Sequence, residues 1–224
     1  GGCGHGIFNR ILAEVLEEMD IVSDTTMCSD IGGNHQVQCW MNVDAIVPPH
    51  GKMGAALTAM KRVRPDKNIL TIAGDGGAYA IGLGETTSAA LRNENVTMFV
   101  MNNTVFGMTG GQLAPTTMIG QKTASTPAGR NFVDNGENTD VFKLMKGMDI
   151  AYLARTSVTS PANINRTKKA VRKAIEKQQA GKGFSLVEVL VPCPTNWHMS
   201  PVDSMKHIDE VVSKVYELGE VIDR

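Results

Sequence analysis

Two short apolar runs, "NILTIA" over residues 68–73 and "VTMFVM" over 96–101, constrain the fold of this chain more than any other feature. Each has the length of a strand and is apolar without alternation, the pattern of a strand covered on both faces in a parallel sheet. Residues 81–93 between them read as a helix, and parallel neighbours need such a crossover. The same grammar runs along the rest of the chain. Helices are predicted over 5–19, with Ile7, Ile11, Leu12, Val15 and Leu16 on one face, over 51–64, and over 164–179; strands are predicted over 149–155 and 184–191. This alternation predicts an α/β fold, a single domain with a mainly parallel sheet and helices on both faces. Its 224 residues suffice for one large core. The domain is expected over 1–200, with a C-terminal helical extension over 201–224.

Composition narrows the partners. The charge is nearly balanced, 22 basic against 23 acidic residues, which gives no footing for nucleic acid or an anionic membrane. No apolar run reaches the roughly 18 residues of a membrane helix. Cys3, Cys28, Cys39 and Cys193 are scattered, unlike a secreted disulfide scaffold, so a reduced, cytoplasmic setting is expected. The chain opens at Gly1 without a methionine, and the natural N-terminus is expected further upstream.

The first of the two apolar runs ends in Gly74-Asp75-Gly76-Gly77 and the second in Asn102-Asn103, with 25 residues between Gly76 and Asn102. That spacing fits one helix and one strand, and a βαβ crossover brings both ends to one sheet edge. Gly-Asp-Gly alone is equally a turn needing positive φ. With the Asn pair, however, a carboxylate and an amide oxygen converge, hard ligands suited to Mg²⁺ and not to zinc. The glycines let backbone N–H groups approach anionic oxygens, and a helix starting near Ala80 points its positive end there. The expected ligand is a diphosphate held partly by an octahedral cation. Residues 103–138, with five glycines before residue 130 and two prolines, fit no element and begin at a strand's carboxyl end, where α/β sheets bind ligands.

The Gly-Asp-Gly and Asn-Asn pair resembles the diphosphate and Mg²⁺ signature of thiamine-diphosphate enzymes. The likeness is wider. "CGHG" at 3–6, "HGKMGAALTAMKRVRPD" from His50, "GDGGAYAIG", "NNTVFGMTGGQLAPTT" and "FSLVEVLVPCPTNW" are similar, in order and over nearly the whole chain, to the β subunit of 2-oxoacid:ferredoxin oxidoreductases. The resemblance implies the diphosphate half of a thiamine-diphosphate-binding fold. It also implies oxidative decarboxylation of a 2-oxoacid with coenzyme A to an acyl-CoA and CO₂, with electrons passed through a [4Fe–4S] cluster to ferredoxin. Asp75, the Asn103 side chain and the Val105 carbonyl match the Mg²⁺ ligands. Gly74, Gly76 and Gly77 match the diphosphate cradle. Thr26, Met27, Cys28 and Ser29 match the segment along the cofactor, and Gly107 and Met108 a later contact. His50, which alone would pass for a structural histidine, falls on the family's His-Gly histidine and is the candidate catalytic residue; Lys52 stands where the family usually has arginine.

The cluster implied by the resemblance takes four cysteines. Cys3, Cys28 and Cys193 match three of them; the fourth either precedes Gly1 or is Cys39. The glutamate that activates the aminopyrimidine comes, in the family, from a partner α subunit, and γ and small ferredoxin-like subunits are further partners. Members acting on 2-oxoglutarate place a lysine where Gly110 stands here, so the resemblance leans toward a branched-chain or aromatic 2-oxoacid; 2-oxoisovalerate is favoured, with 2-oxoglutarate, pyruvate or an aryl 2-oxoacid as the alternatives. A non-oxidative thiamine-diphosphate decarboxylase or synthase half is the alternative that would not need the cysteines.

Overall fold

The two apolar runs lie side by side as parallel strands, Gly74 paired with Met101 at their carboxyl ends. The computed structural model describes residues 1–224, apart from the side chains of His35 and Val37. The strands are β1 (Thr25–Ser29), β2 (Asp44–Ile46), β3 (Asn68–Gly74), β4 (Thr97–Asn102), β5 (Val105–Phe106), β6 (Gln112–Leu113), β7 (Tyr152–Ser157), β8 (Ser185–Leu190) and β9 (Gly219–Asp223). The helices are α1 (His5–Glu18), α2 (Met53–Val63), α3 (Leu83–Leu91), α4 (Phe132–Asn135), α5 (Val141–Met145), α6 (Pro161–Gln179), α7 (Pro194–Trp197), α8 (Pro201–His207) and α9 (Ser213–Val215). Among the described residues seven strands form one sheet in the order β2-β1-β3-β4-β8-β7-β9, parallel except for β9. Both faces are covered, as continuous apolar strands require.

Alternate side chains divide between two cores, as the two-residue period of a strand dictates. Leu70, Ile72, Phe99 and Met101 face α1 and α6, against Phe8, Leu12 and Ile175. Ile69, Ala73, Met98 and Val100 face the other way, against Leu57 of α2 and Ala90 of α3. Burying each large side chain contributes about 1.5–3 kcal/mol before the entropy cost of ordering it. Helix α6 starts where Ser160 caps the N–H of Asn163 and Pro161 opens the first turn. In its last turn lies Gln178, whose side-chain amide accepts from Ile69 N–H at 2.7 Å and donates to the Ile69 carbonyl at 2.9 Å.

The order places β2 on one side of β1 and β3 on the other. The chain reverses its direction of travel across the sheet there, so the crevice beyond the carboxyl ends of β1 and β3 is the topological switch point, where open α/β sheets bind ligands.

Two expectations are corrected. Residues 103–138 are not without structure: β5 and β6 pair as an antiparallel hairpin, and α4 follows, capped by the Asn131 side chain. The stretch 201–224 is helical only to Val215; Gly219–Asp223 instead pairs antiparallel with β7 and closes the sheet edge. Its short, mostly exposed sequence has the period of neither element, so only the pairing reveals the strand. Among the described residues no helix is long and apolar enough to cross a membrane.

Candidate functional site

Asp75 follows β3 directly and is buried at the switch point. Thr116 donates its hydroxyl to Asp75 Oδ2. Burial pushes the carboxyl up to about 7; the bonds from Thr116 and the Gly76 N–H oppose the shift, and the nearby Glu188 adds to it. Burial disfavours the charged carboxylate, and a cation bound at it would offset that cost.

The flanking glycines are not a turn. None of Gly74, Gly76 and Gly77 has positive φ. They are small because other groups come close: a Cβ on Gly76 would enter the Phe106 ring, and one on Gly77 would collide with the Asp30 carboxylate. Residues 77–81 form a single π-turn before α3, a distortion frequent at functional sites.

The two asparagines separate in role. Asn102 turns inward, donating to Glu188 Oε1 at 3.2 Å and accepting from Thr104 N–H at 3.1 Å. The neighbouring Asn103 accepts from Val105 N–H at 3.2 Å, and its carbonyl accepts from the Trp197 indole at 3.1 Å. Thr104 adopts φ 62°, the left-handed kink that turns the chain out of β4 into the hairpin. A Cβ on Gly107, at the hairpin turn, would stand 3.4 Å from Asn103 Nδ2 and 3.6 Å from Cys193 Sγ. Met108 lies beyond it, exposed.

Across the crevice, β1 presents Thr26 half-buried and Met27, Cys28 and Ser29 buried. His50 Nδ1 lies 2.8 Å from Asp30 Oδ1. Two oxygens here, Ser29 Oγ and Asp30 Oδ2, are buried without a partner among the described residues. Lys52 does not reach inward; it pairs with Glu85 on the surface. The sequence reading missed Asp30 and Glu188. Glu188 was legible: it is the one acid in the apolar run of β8, and its register partner in β7 is Arg155, the one base there. The two are buried, with Arg155 Nε 2.5 Å from Glu188 Oε1, and Arg155 also meets Asp140 at 2.7 Å.

The residues at the switch point fit a diphosphate with a divalent cation: a buried carboxylate, an amide side chain just past the end of the neighbouring strand, side-chain-free backbone at Gly76 and Gly77, and the unpartnered Ser29 hydroxyl on the facing strand. The cysteines do not fit a cluster in this arrangement. The N-terminal segment does approach Cys193, since a Cβ on Gly4 would stand 2.8 Å from Val191 and 2.9 Å from Pro192. Yet among the described residues no three His, Cys, Asp or Glu side chains are grouped to hold a metal. Cys28 is buried, and burial with the nearby Asp30 pushes its thiol up to about 12. Cys3 is exposed, 3.0 Å from His5 Nδ1, and Cys39 is exposed on the 3₁₀ turn Gly33–Cys39.

Comparison with known proteins agrees with this geometry. The family described as thiamine pyrophosphate enzyme, C-terminal TPP binding domain, matches residues 25–189. Ketoisovalerate oxidoreductase subunit VorA of Methanothermobacter thermautotrophicus is 34% identical over 224 residues, covering 100% of this chain and 47% of the relative. The chain thus spans about half the length of that relative. 2-Oxoglutarate synthase subunit KorB of Methanocaldococcus jannaschii is 34% identical over 216 residues, 93% of this chain and 76% of the relative. A solved structure of 2-oxoglutarate:ferredoxin oxidoreductase from Magnetococcus marinus, with 2-oxoglutarate, coenzyme A and succinyl-CoA bound, superposes with a TM-score of 0.82 at 21% identity, covering 100% of this chain and 80% of that one. That last likeness shows the fold. By the matched domain and the relatives it covers, the chain belongs to the thiamine pyrophosphate enzymes, in the family of 2-oxoacid:ferredoxin oxidoreductase β subunits.

Proposed function

We propose that this chain is the diphosphate-binding half of a 2-oxoacid:ferredoxin oxidoreductase that converts a 2-oxoacid and coenzyme A to an acyl-CoA and CO₂. The observation that carries the reading is Asp75, a buried carboxylate bonded by the Thr116 hydroxyl and set among side-chain-free backbone at the switch point. Asp75, the Asn103 side chain and the Val105 carbonyl would hold Mg²⁺, and the backbone at Gly74, Gly76 and Gly77 would receive the diphosphate. Thr26 to Ser29 would line the cofactor on one side and Gly107 and Met108 on the other. When bound, thiamine diphosphate supplies the carbon nucleophile and electron sink that decarboxylation of a 2-oxoacid needs. His50 would act on the substrate from the diphosphate end.

The buried acids among the described residues are Asp30, Asp75 and Glu188. Asp75 stands at the diphosphate, Glu188 is held by Arg155 and Asp30 by His50. None is left to activate an aminopyrimidine, which supports a partner α subunit as the source of that glutamate. Gly110 adopts φ 115°, a conformation that a lysine would strain to enter. With no cation at that position to meet a second carboxylate, 2-oxoglutarate is disfavoured; among 2-oxoisovalerate, pyruvate and aryl 2-oxoacids the name of the ketoisovalerate relative favours 2-oxoisovalerate.

An acceptor-reduction assay of the assembled complex against a panel of 2-oxoacids with coenzyme A tests this. The expected result is acceptor reduction that depends on coenzyme A and is fastest with 2-oxoisovalerate; no reduction with any 2-oxoacid refutes it. The [4Fe–4S] cluster rests on the resemblance of Cys3, Cys28 and Cys193 alone. Cys3, Cys28 and Cys193 are not grouped at one point among the described residues, which favours a second reading, half of a non-oxidative thiamine-diphosphate enzyme. Iron and sulfide analysis of the anaerobically purified complex decides between them: bound iron and sulfide support the ferredoxin-linked reaction, and thiamine diphosphate without iron supports the second.

A further inference from the structure

Asp30 is a fully buried acid with no role in holding the cation, diphosphate or partner described above. Its N–H donates to the Ile72 carbonyl at 3.0 Å and extends the β1–β3 ladder by one residue, so the sheet itself fixes its position. Its Oδ1 receives two donors, His50 Nδ1 at 2.8 Å and the Gly51 N–H at 3.1 Å. One oxygen therefore holds the imidazole and also the backbone next to it. Its Oδ2 faces Gly77 and has no partner among the described residues. The His50 ring lies over the same glycine, with Cε1 3.0 Å from where a Cβ would stand, and edge-on to Phe106 at 6.5 Å between ring centres.

An imidazole turns about two torsions and carries two nitrogens, and the bond made by one nitrogen sets what the other presents. With Nδ1 committed to Asp30, the nitrogen left for a ligand is Nε2, on a side chain still about one-third exposed. A carboxylate on the far nitrogen is how proteins commonly fix both the tautomer and the aim of a working histidine. The geometry points to Asp30 as a positioning residue that holds Nδ1 of His50 and so presents Nε2 to the oxygen atoms of a 2-oxoacid at the diphosphate end of the site. The role rests on reading the site as one for a 2-oxoacid.

The test uses the assembled complex carrying Asp30→Ala, Asp30→Asn, His50→Gln and the double variant Asp30→Ala/His50→Gln. Thiamine diphosphate content is measured first and is expected to be unchanged. Asp30→Ala is expected to lower kcat for the best 2-oxoacid about tenfold to a hundredfold, the usual effect of removing a histidine's orienting partner. Asp30→Asn keeps an oxygen acceptor for Nδ1 and is expected to recover most of that loss. In the His50→Gln background, Asp30→Ala is expected to cost little more, since both act through one group. A second readout does not depend on turnover. Exchange of the histidine Cε1 protons, followed by mass spectrometry, is expected to change at His50 in Asp30→Ala and to stay at wild-type rates at the other four histidines. Loss of thiamine diphosphate, additive losses in the double variant, an Asp30→Asn variant as impaired as Asp30→Ala, or an unmoved His50 exchange rate each overturns the assignment. If the wild-type complex turns over no 2-oxoacid, the functional reading fails, and with it the substrate half of this one; the exchange rate still decides the Asp30–His50 contact.

Discussion

Thr116, thirteen residues beyond Asn103 along the long loop, donates its hydroxyl back to Asp75 at the end of β3. The loop is tied from behind as well, because Tyr216 donates to the Thr116 carbonyl at 2.6 Å. Thr116→Val keeps the shape and removes the donor. Thiamine diphosphate binding by the complex, titrated with Mg²⁺, is expected to require about tenfold to a hundredfold more cation, as when a metal ligand loses its hydrogen-bond partner. Thr116→Ser restores the donor and is expected to restore the affinity.

Burial holds Asp75 at about 7 in the metal-free chain, above the roughly 4 of a free aspartate. Between those values the folded chain binds a proton that the unfolded chain does not. The contribution of Asp75 to stability is therefore greatest below about pH 4, falls as pH rises through this window, and levels off above about pH 7 after a loss of order 4 kcal/mol. Asp75→Asn removes the slope. Urea denaturation of the metal-free chain from pH 5 to 8 is expected to show the Asn variant gaining on wild type as pH rises. Cation affinity has the opposite sense: it falls as pH drops through 7, because the cation must displace the proton.

Gly77 is glycine because Asp30 occupies the space of its side chain. Gly77→Ala forces the strand-anchored Asp30 or the π-turn to move, and overpacking of this kind costs about 1–3 kcal/mol. The melting temperature is expected to fall, and thiamine diphosphate retention to fall with it. Gly84→Ala, at a helical position with nothing within 4 Å of the new Cβ, is the matched control and is expected to leave both unchanged.

Arg130 is buried, and its guanidinium donates at 2.7–3.2 Å to the carbonyls of Ala114, Pro115, Thr117, Asn135, Gly136 and Glu137. It gathers the loop that carries Thr116. Lysine has no planar fork and leaves several of these carbonyls unpaired, so Arg130→Lys is expected to destabilise the chain by about 2–3 kcal/mol. Limited proteolysis is expected to cut first between residues 114 and 137.

The sheet was legible where both faces are covered, because β3 and β4 read as largely apolar runs without alternation and β8 as one interrupted only by Glu188. Strand β1, "TTMCS", is as buried, but its short polar residues carry no such pattern. Strand β2 has three half-exposed or exposed residues and exists only because β1 lies beside it. At the site, spacing alone brings Asp75 and the Asn102-Asn103 pair to one sheet edge, since a crossover fixes where two strand ends meet; only the resemblance singles out Asn103. Asp30 could not, because its significance comes from His50, 20 residues away and brought near by the fold.

The most direct test of the account is thiamine diphosphate binding to the complex, with and without Mg²⁺, for wild type and Asp75→Ala. The account predicts tight, Mg²⁺-dependent binding in wild type and its loss in the variant, with the fold retained by circular dichroism. Binding to Asp75→Ala with wild-type affinity and wild-type dependence on Mg²⁺ would contradict it.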